Sequence, residues 1–137
     1  MGLRKVTFVR NPFDRALSFY FSPFRWMRQT ASGPVVAPAI FAKDDFLATI
    51  EQIGTATSFL SYGGHLIDFD FVARFENYAE DFPKALLACG VKRAPRSPPH
   101  VNRSVRHPPI TWDNEMLDAV ERRFSEDFQN FGYDVRP

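Results

Sequence analysis

The chain is poor in cysteine and in long apolar runs, and it carries almost no net charge. Each shortage removes a class of protein. A single cysteine, Cys89, among 137 residues excludes an internal disulfide framework. No apolar run approaches the roughly 18 residues needed to cross a membrane. The first residues lack the apolar stretch of a signal peptide, and the expected compartment is the cytoplasm. No glycine period suggests a collagen-like chain, and no repeat recurs at the spacing of a solenoid. What remains is ordinary for one globular domain: 45% hydrophobic residues, 24% charged residues and 15 phenylalanines to fill a core.

The net charge of +1 conceals a strong pattern. Residues 1–28 hold six Arg or Lys and one acid, and residues 82–112 hold six basic residues and none acidic. Between them, residues 43–81 carry two basic and eight acidic residues, and residues 113–137 carry three and seven. Such blocks either converge on an anionic ligand or pair with one another, and charge alone leaves both readings open.

Local signals set the expected order of elements. Residues 5–10 read as a short β-branched and aromatic strand. Asn11 and Pro12 then suit the N-cap and first position of a helix, with Asp14 in its first turn. Phe13, Leu17 and Phe21 give that helix an apolar stripe towards Arg28, with Pro23 as its weak point. Residues 29–40 read as a loop. Asp44 is the expected cap of a short helix through Ile53, stopped by Gly54. A second loop ends at Gly63-Gly64. Residues 66–75 read as extended, with a buried strand near Phe69–Phe75. Glu80 and Asp81 are expected to open a helix that buries Phe82, Leu86 and Cys89. Residues 91–110 contain two Pro-Pro pairs and read as an irregular basic loop. Thr111 is the expected cap of a last helix, in which Leu117, Val120, Phe124, Phe128 and Phe131 face inward and Gly132 is the stop. The fold class is α/β, with a sheet small for the number of helices.

The chemistry concentrates at Arg10–Ser18. A strand that ends in arginine and runs into a capped helix is suited to an anion: the helix start offers free amides, and the guanidinium offers a planar fork. Arg15 lies one turn into the same helix, and Ser18 can add a hydroxyl. From the pattern alone, a surface ion pair for Arg10 and a plain helix position for Ser18 is the favoured reading.

The run Phe8-Val9-Arg10-Asn11-Pro12-Phe13-Asp14-Arg15-Ala16-Leu17-Ser18-Phe19-Tyr20 resembles the 3′-phosphate segment of sulfotransferases that use 3′-phosphoadenosine 5′-phosphosulfate (PAPS). It is similar in particular to the carbohydrate-type branch, with its F-V-R-(D/N)-P-(F/Y)-x-R-x-x-S-x-Y pattern. Residues 70–82 resemble the family's D-F-(I/V)-G-R-F-E-N-x-x-x-D-F block, with Ala73 in place of Gly. Residues 99–104 resemble its P-H-x-N-x-S loop, and Glu126-Asp127-Phe128 through Phe131-Gly132-Tyr133 resembles its closing helix. The resemblance implies a truncated P-loop-like sulfotransferase fold over residues 1–137, with a small parallel sheet and flanking helices. It implies that Arg10 and Ser18 hold the 3′-phosphate of PAPS or of its product PAP (adenosine 3′,5′-bisphosphate). Arg15 either supports them or fixes the helix.

The basic loop 92–107 would close over the nucleotide. Asn102 and Arg103 lead there, before Arg96 and Arg106, while Lys92 and Arg93 read as solvated surface. His100 is either a nucleotide contact or a structural residue. Arg74 and Glu76 are expected in an ion pair or a helix cap. The family's Gly-rich phosphosulfate loop has no counterpart here, so the resemblance covers the family's C-terminal portion and implies that this chain alone is inactive. The full reaction would move a sulfuryl group to a hydroxyl or amine, with a carbohydrate as the expected acceptor. His65 is a candidate base only if it faces the cleft, and the catalytic residues are otherwise unassigned. No metal-ligand spacing and no nucleic-acid motif is present. Two further functions compete: a non-catalytic nucleotide- or glycan-binding module, and an interaction domain completed by a partner or by self-association through an open sheet edge.

Overall fold

A computed structural model describes residues 2–93 and 107–136. Strand β1 (Val6–Val9) pairs in parallel with β6 (Phe71–Arg74), Val6 opposite Phe71 and Val9 opposite Arg74. Two antiparallel hairpins stand apart from this pair. The class is therefore α/β with a two-stranded parallel sheet, small for its helices as the sequence indicates.

Helix α1 (Pro12–Tyr20) starts where the local chemistry places it: the Asn11 side chain accepts from the Phe13 N–H, and Pro12 occupies the first turn. It does not continue to Arg28. Proline lacks the amide that would continue the helix and collides with the preceding turn, so Pro23 opens a separate turn, α2 (Pro23–Trp26). The expected loop 29–40 is largely a hairpin, β2 (Met27–Thr30) with β3 (Gly33–Val36). Its turn uses a positive φ of 113° at Gly33, and the Thr30 hydroxyl donates to the Gly33 carbonyl at 2.6 Å.

Helix α3 (Lys43–Gln52) follows, with Ala42 rather than Asp44 at its cap position. Asp44 and Asp45 sit in its first turn, where carboxylates are favoured. Residues 54–64 also hold more structure than a loop. Helix α4 (Ala56–Phe59) is capped by Thr55, and β4 (Ser61–Tyr62) folds back on β5 (His65–Leu66). Positive φ at both Gly63 and Gly64 is what a two-residue hairpin turn requires.

The strand in residues 66–75 is shorter and less buried than expected. Ala73 is fully buried, but Val72, which points to the opposite face of the strand, is 38% exposed. A single 3₁₀ turn (Phe75–Asn77) leads into α5 (Tyr78–Ala88), which begins before Glu80. This helix buries Asp81 and Ala85, leaves Phe82 and Leu86 half-buried, and leaves Cys89 exposed at its end. The sheet beneath it is too narrow to cover a full helix face.

Asp113, not Thr111, caps α6 (Asn114–Arg123), its carboxylate accepting from Met116 N–H at 2.9 Å. The expected single last helix breaks at Phe124, and α7 (Ser125–Phe131) ends at Gly132, whose φ of 67° suits a helix stop. The apolar spacing survives the break: Val120, Phe124, Phe128 and Phe131 are buried and Leu117 is half-buried.

The core lies among helices. Phe13, Ala16, Tyr20 and Phe21 of α1 and its end meet Phe46 and Ile50 of α3 and Met116, Val120, Phe124 and Phe128 of α6 and α7. Tyr20 is the hub. Its ring is fully buried, its hydroxyl bonds Asp45 and the Ile40 carbonyl, and it accepts from Ala42 N–H. Burial is the main reason the Tyr20 hydroxyl titrates above its ordinary value, while the Arg25 bond leads in lowering that of Asp45. No helix among the described residues is long and apolar enough to cross a membrane.

Candidate anion-binding site

The parallel pairing decides where the candidate site lies. It brings the carboxyl ends of β1 and β6 to the same side, where open α/β sheets bind ligands. Arg10 leaves β1 there, directly before the capped start of α1. Phe75 and Glu76 leave β6 beside it. The Arg10 guanidinium stands over the Phe75 ring, 4.5 Å from its centre. Glu76 accepts from the Asn11 N–H at 2.6 Å and from the Tyr133 hydroxyl at 2.8 Å.

Of the two readings of the charge blocks, pairing is the one seen among the described residues. Arg4 pairs with Asp70 at 3.3 Å and Arg25 with Asp45 at 2.7 Å, joining the first basic block to the acidic one. Lys43 bridges Asp113 and Glu115, and Arg136 bridges Asp118 and Glu121. Arg10 makes no ion pair with a described residue; its one contact of note is the Phe75 face. Arg10 is thus a half-buried cation on an aromatic plate, beside a helix start.

Ser18 lies half-buried on α1, about two turns beyond Asn11 and so on the same side of the helix. Arg15 is placed differently. Its guanidinium centre is 5.7 Å from the Phe124 ring centre, and its Nη1 is buried without a hydrogen-bond partner. Burial lowers its pKa from the ordinary arginine value, and the nearby Asp127 carboxylate opposes that. Of the two roles open to Arg15, fixing α1 against α6 and α7 is the one its contacts carry.

Arg74 and Glu76 do not pair with each other. Arg74 Nη2 donates to the Phe131 carbonyl at 2.7 Å, and its guanidinium lies 4.5 Å from the Tyr133 ring centre. The Arg74 backbone amide donates to Asp81. Burial first, and the bond to Glu76 second, raise the pKa of Tyr133 far above its ordinary value, so it remains a hydrogen-bond donor. Arg96, His100, Asn102, Arg103 and Arg106 lie outside the described residues. His107, at the end of the basic loop, stacks flat on Phe21 with ring centres 4.0 Å apart. Its Nδ1 donates to the Pro108 carbonyl at 2.7 Å. His65 is exposed on its hairpin. An open cleft of about 320 Å³ nearby is lined by Leu66, Phe69, Val72, Arg74, Asn130 and Phe131 among others, and not by His65.

Two residues that matter here escaped the sequence reading. Glu76 is expected in an ion pair or a helix cap, and instead it joins Asn11 to Tyr133. Asp127 was only one letter of the closing-helix pattern, yet it is a buried carboxylate that accepts from Ala56 N, Thr57 N and Thr57 Oγ1. Neither partner set is local in sequence, so no spacing rule would have found them. Comparison with protein-family models, curated proteins and solved structures finds no match.

Proposed function

We propose that the chain is the 3′-phosphoadenosine-binding part of a PAPS-dependent sulfotransferase-like domain with a truncated P-loop-like fold. Arg10 grips the 3′-phosphate of PAPS or PAP, the start of α1 faces it with a positive dipole end, and Ser18 adds a hydroxyl. The observation that carries this reading is Arg10 itself: a cation at the carboxyl end of a parallel strand, seated on Phe75, with no carboxylate partner among the described residues. In complete form such a domain transfers a sulfuryl group in line to a hydroxyl or amine, with carbohydrate the favoured acceptor. A base takes the acceptor proton, and cations stabilise the leaving phosphate. This chain alone lacks a phosphosulfate loop and is expected to bind without turnover.

The test is thermal unfolding with PAP and with adenosine 5′-monophosphate, which lacks the 3′-phosphate. PAP in the millimolar range should raise the melting temperature, and the monophosphate should raise it far less. Equal shifts, or none, contradict the reading.

The open sheet favours a second reading, an interaction domain completed by another strand. Neither β1 nor β6 has a second neighbour among the described residues, and Phe8 and Val72 are each more than a third exposed. Unpaired strand edges of this kind template pairing. Light scattering at rising concentration should then report a dimer or larger species, and a strict monomer removes this reading.

A further inference from the structure

We infer that Glu76 is the positioning residue of the Arg10 site, tying the arginine and the helix start to the C-terminal segment through Asn11 and Tyr133. The inference rests on the reading of Arg10 as an anion-binding residue. Three consecutive residues leaving β6 divide the work. Arg74 holds the far end of α7, through the Phe131 carbonyl and the Tyr133 ring. Phe75 carries the Arg10 guanidinium on its face. Glu76 closes the link, one carboxylate oxygen taking the Asn11 amide and the other the Tyr133 hydroxyl.

Asn11 is the residue between Arg10 and the helix. Its amide direction sets the chain path out of β1, and so the base from which the Arg10 side chain reaches. A hydrogen bond of 2.6 Å to a carboxylate is the short, charge-assisted kind that fixes such a path. Gly132 turns the chain from α7 to Tyr133 with a φ of 67°, a backbone conformation that disfavours any side chain. The same carboxylate also has a cost for an anion site, because it places negative charge beside the helix start. Position and charge therefore act in opposite directions on an anionic ligand, and this distinguishes positioning from plain structural support.

Three variants separate the contributions. Glu76→Ala removes both hydrogen bonds and the charge. Glu76→Gln keeps an acceptor for Asn11 and a donor for the Tyr133 oxygen, and removes the charge. Tyr133→Phe removes only the outer bond. Affinity for PAP is measured by titration, and exchange of the Asn11 amide is measured without ligand. The expected result is about tenfold weaker PAP binding for Glu76→Ala, the loss of the two positioning hydrogen bonds outweighing the removal of the negative charge. Glu76→Gln should bind PAP as well as the parent chain or better. Asn11 exchange should speed up in Glu76→Ala and, to a smaller degree, in Tyr133→Phe, and remain near the parent rate in Glu76→Gln. A purely structural role predicts lower melting temperatures with PAP affinity unchanged in the folded fraction, and that outcome overturns the inference. If the parent chain fails to bind PAP, the anion reading falls. Asn11 exchange then decides the positional link by itself: unchanged exchange in Tyr133→Phe and Glu76→Ala overturns it too.

Discussion

Replacing Asp127 with alanine should lower the free energy of unfolding by about 3–5 kcal/mol, the usual cost of breaking a buried charged hydrogen-bond set. The side chain is 2% exposed. One oxygen accepts from Ala56 N–H at 2.9 Å, and the other from Thr57 N–H at 2.8 Å and the Thr57 hydroxyl at 2.7 Å. Alanine leaves these two amides at the start of α4 without their acceptor. It also removes a negative charge that acts favourably on Arg15, whose Nη1 is buried without a hydrogen-bond partner. Domains of this size are stable by only about 5–15 kcal/mol, so the variant should sit near its folding threshold. Asparagine retains one acceptor oxygen and should recover a part of the loss. Urea unfolding of the parent, Asp127→Ala and Asp127→Asn chains measures this. A loss below about 1 kcal/mol, the usual limit for an exposed pair, would show that the carboxylate is not the anchor of residues 55–57.

The elements legible in the sequence are those with local causes. Asn11 and Pro12 start α1 through a cap and a preset φ, both written within a few residues. Gly132 stops α7 for an equally local reason. The β2–β3 hairpin was not legible, because its strands have no alternating pattern and Pro34 argues against one. Its place is fixed from outside: the Ala37 amide donates to the Trp26 carbonyl, and the Trp26 indole to the Tyr20 carbonyl. Gly63-Gly64 carried a hairpin signal, but strands of two residues are too short to show a period. Cys89 has the right spacing for a buried face, and it is exposed because the sheet under α5 has two strands among the described residues. In the site, Arg10 was readable from its own neighbourhood. Its plate, Phe75, and the Glu76 link were not, since they meet it only when β6 pairs with β1.

Arg10→Ala should weaken PAP binding about 100-fold, or roughly 2.7 kcal/mol. A guanidinium held in two parallel hydrogen bonds to a phosphate is among the stronger polar contacts, and nothing else described at the junction supplies a second fork. The helix start and Ser18 would remain, so residual binding is expected rather than none. Without ligand the variant should be nearly as stable as the parent. Among the described residues it loses the contact with the Phe75 face, worth about 0.5–1 kcal/mol at a partly exposed site. This split between affinity and stability marks a binding residue, in contrast to Asp127. Arg10→Lys keeps the charge but not the fork, and should recover only a minor part of the affinity.

The most direct measurement is a calorimetric titration of PAP into the parent chain and into Arg10→Ala, side by side in the same buffer. The account predicts saturable heat with the parent and about 100-fold weaker binding with the variant, at nearly equal melting temperatures. Equal affinities in the two chains, or no heat from the parent at millimolar PAP, would contradict it.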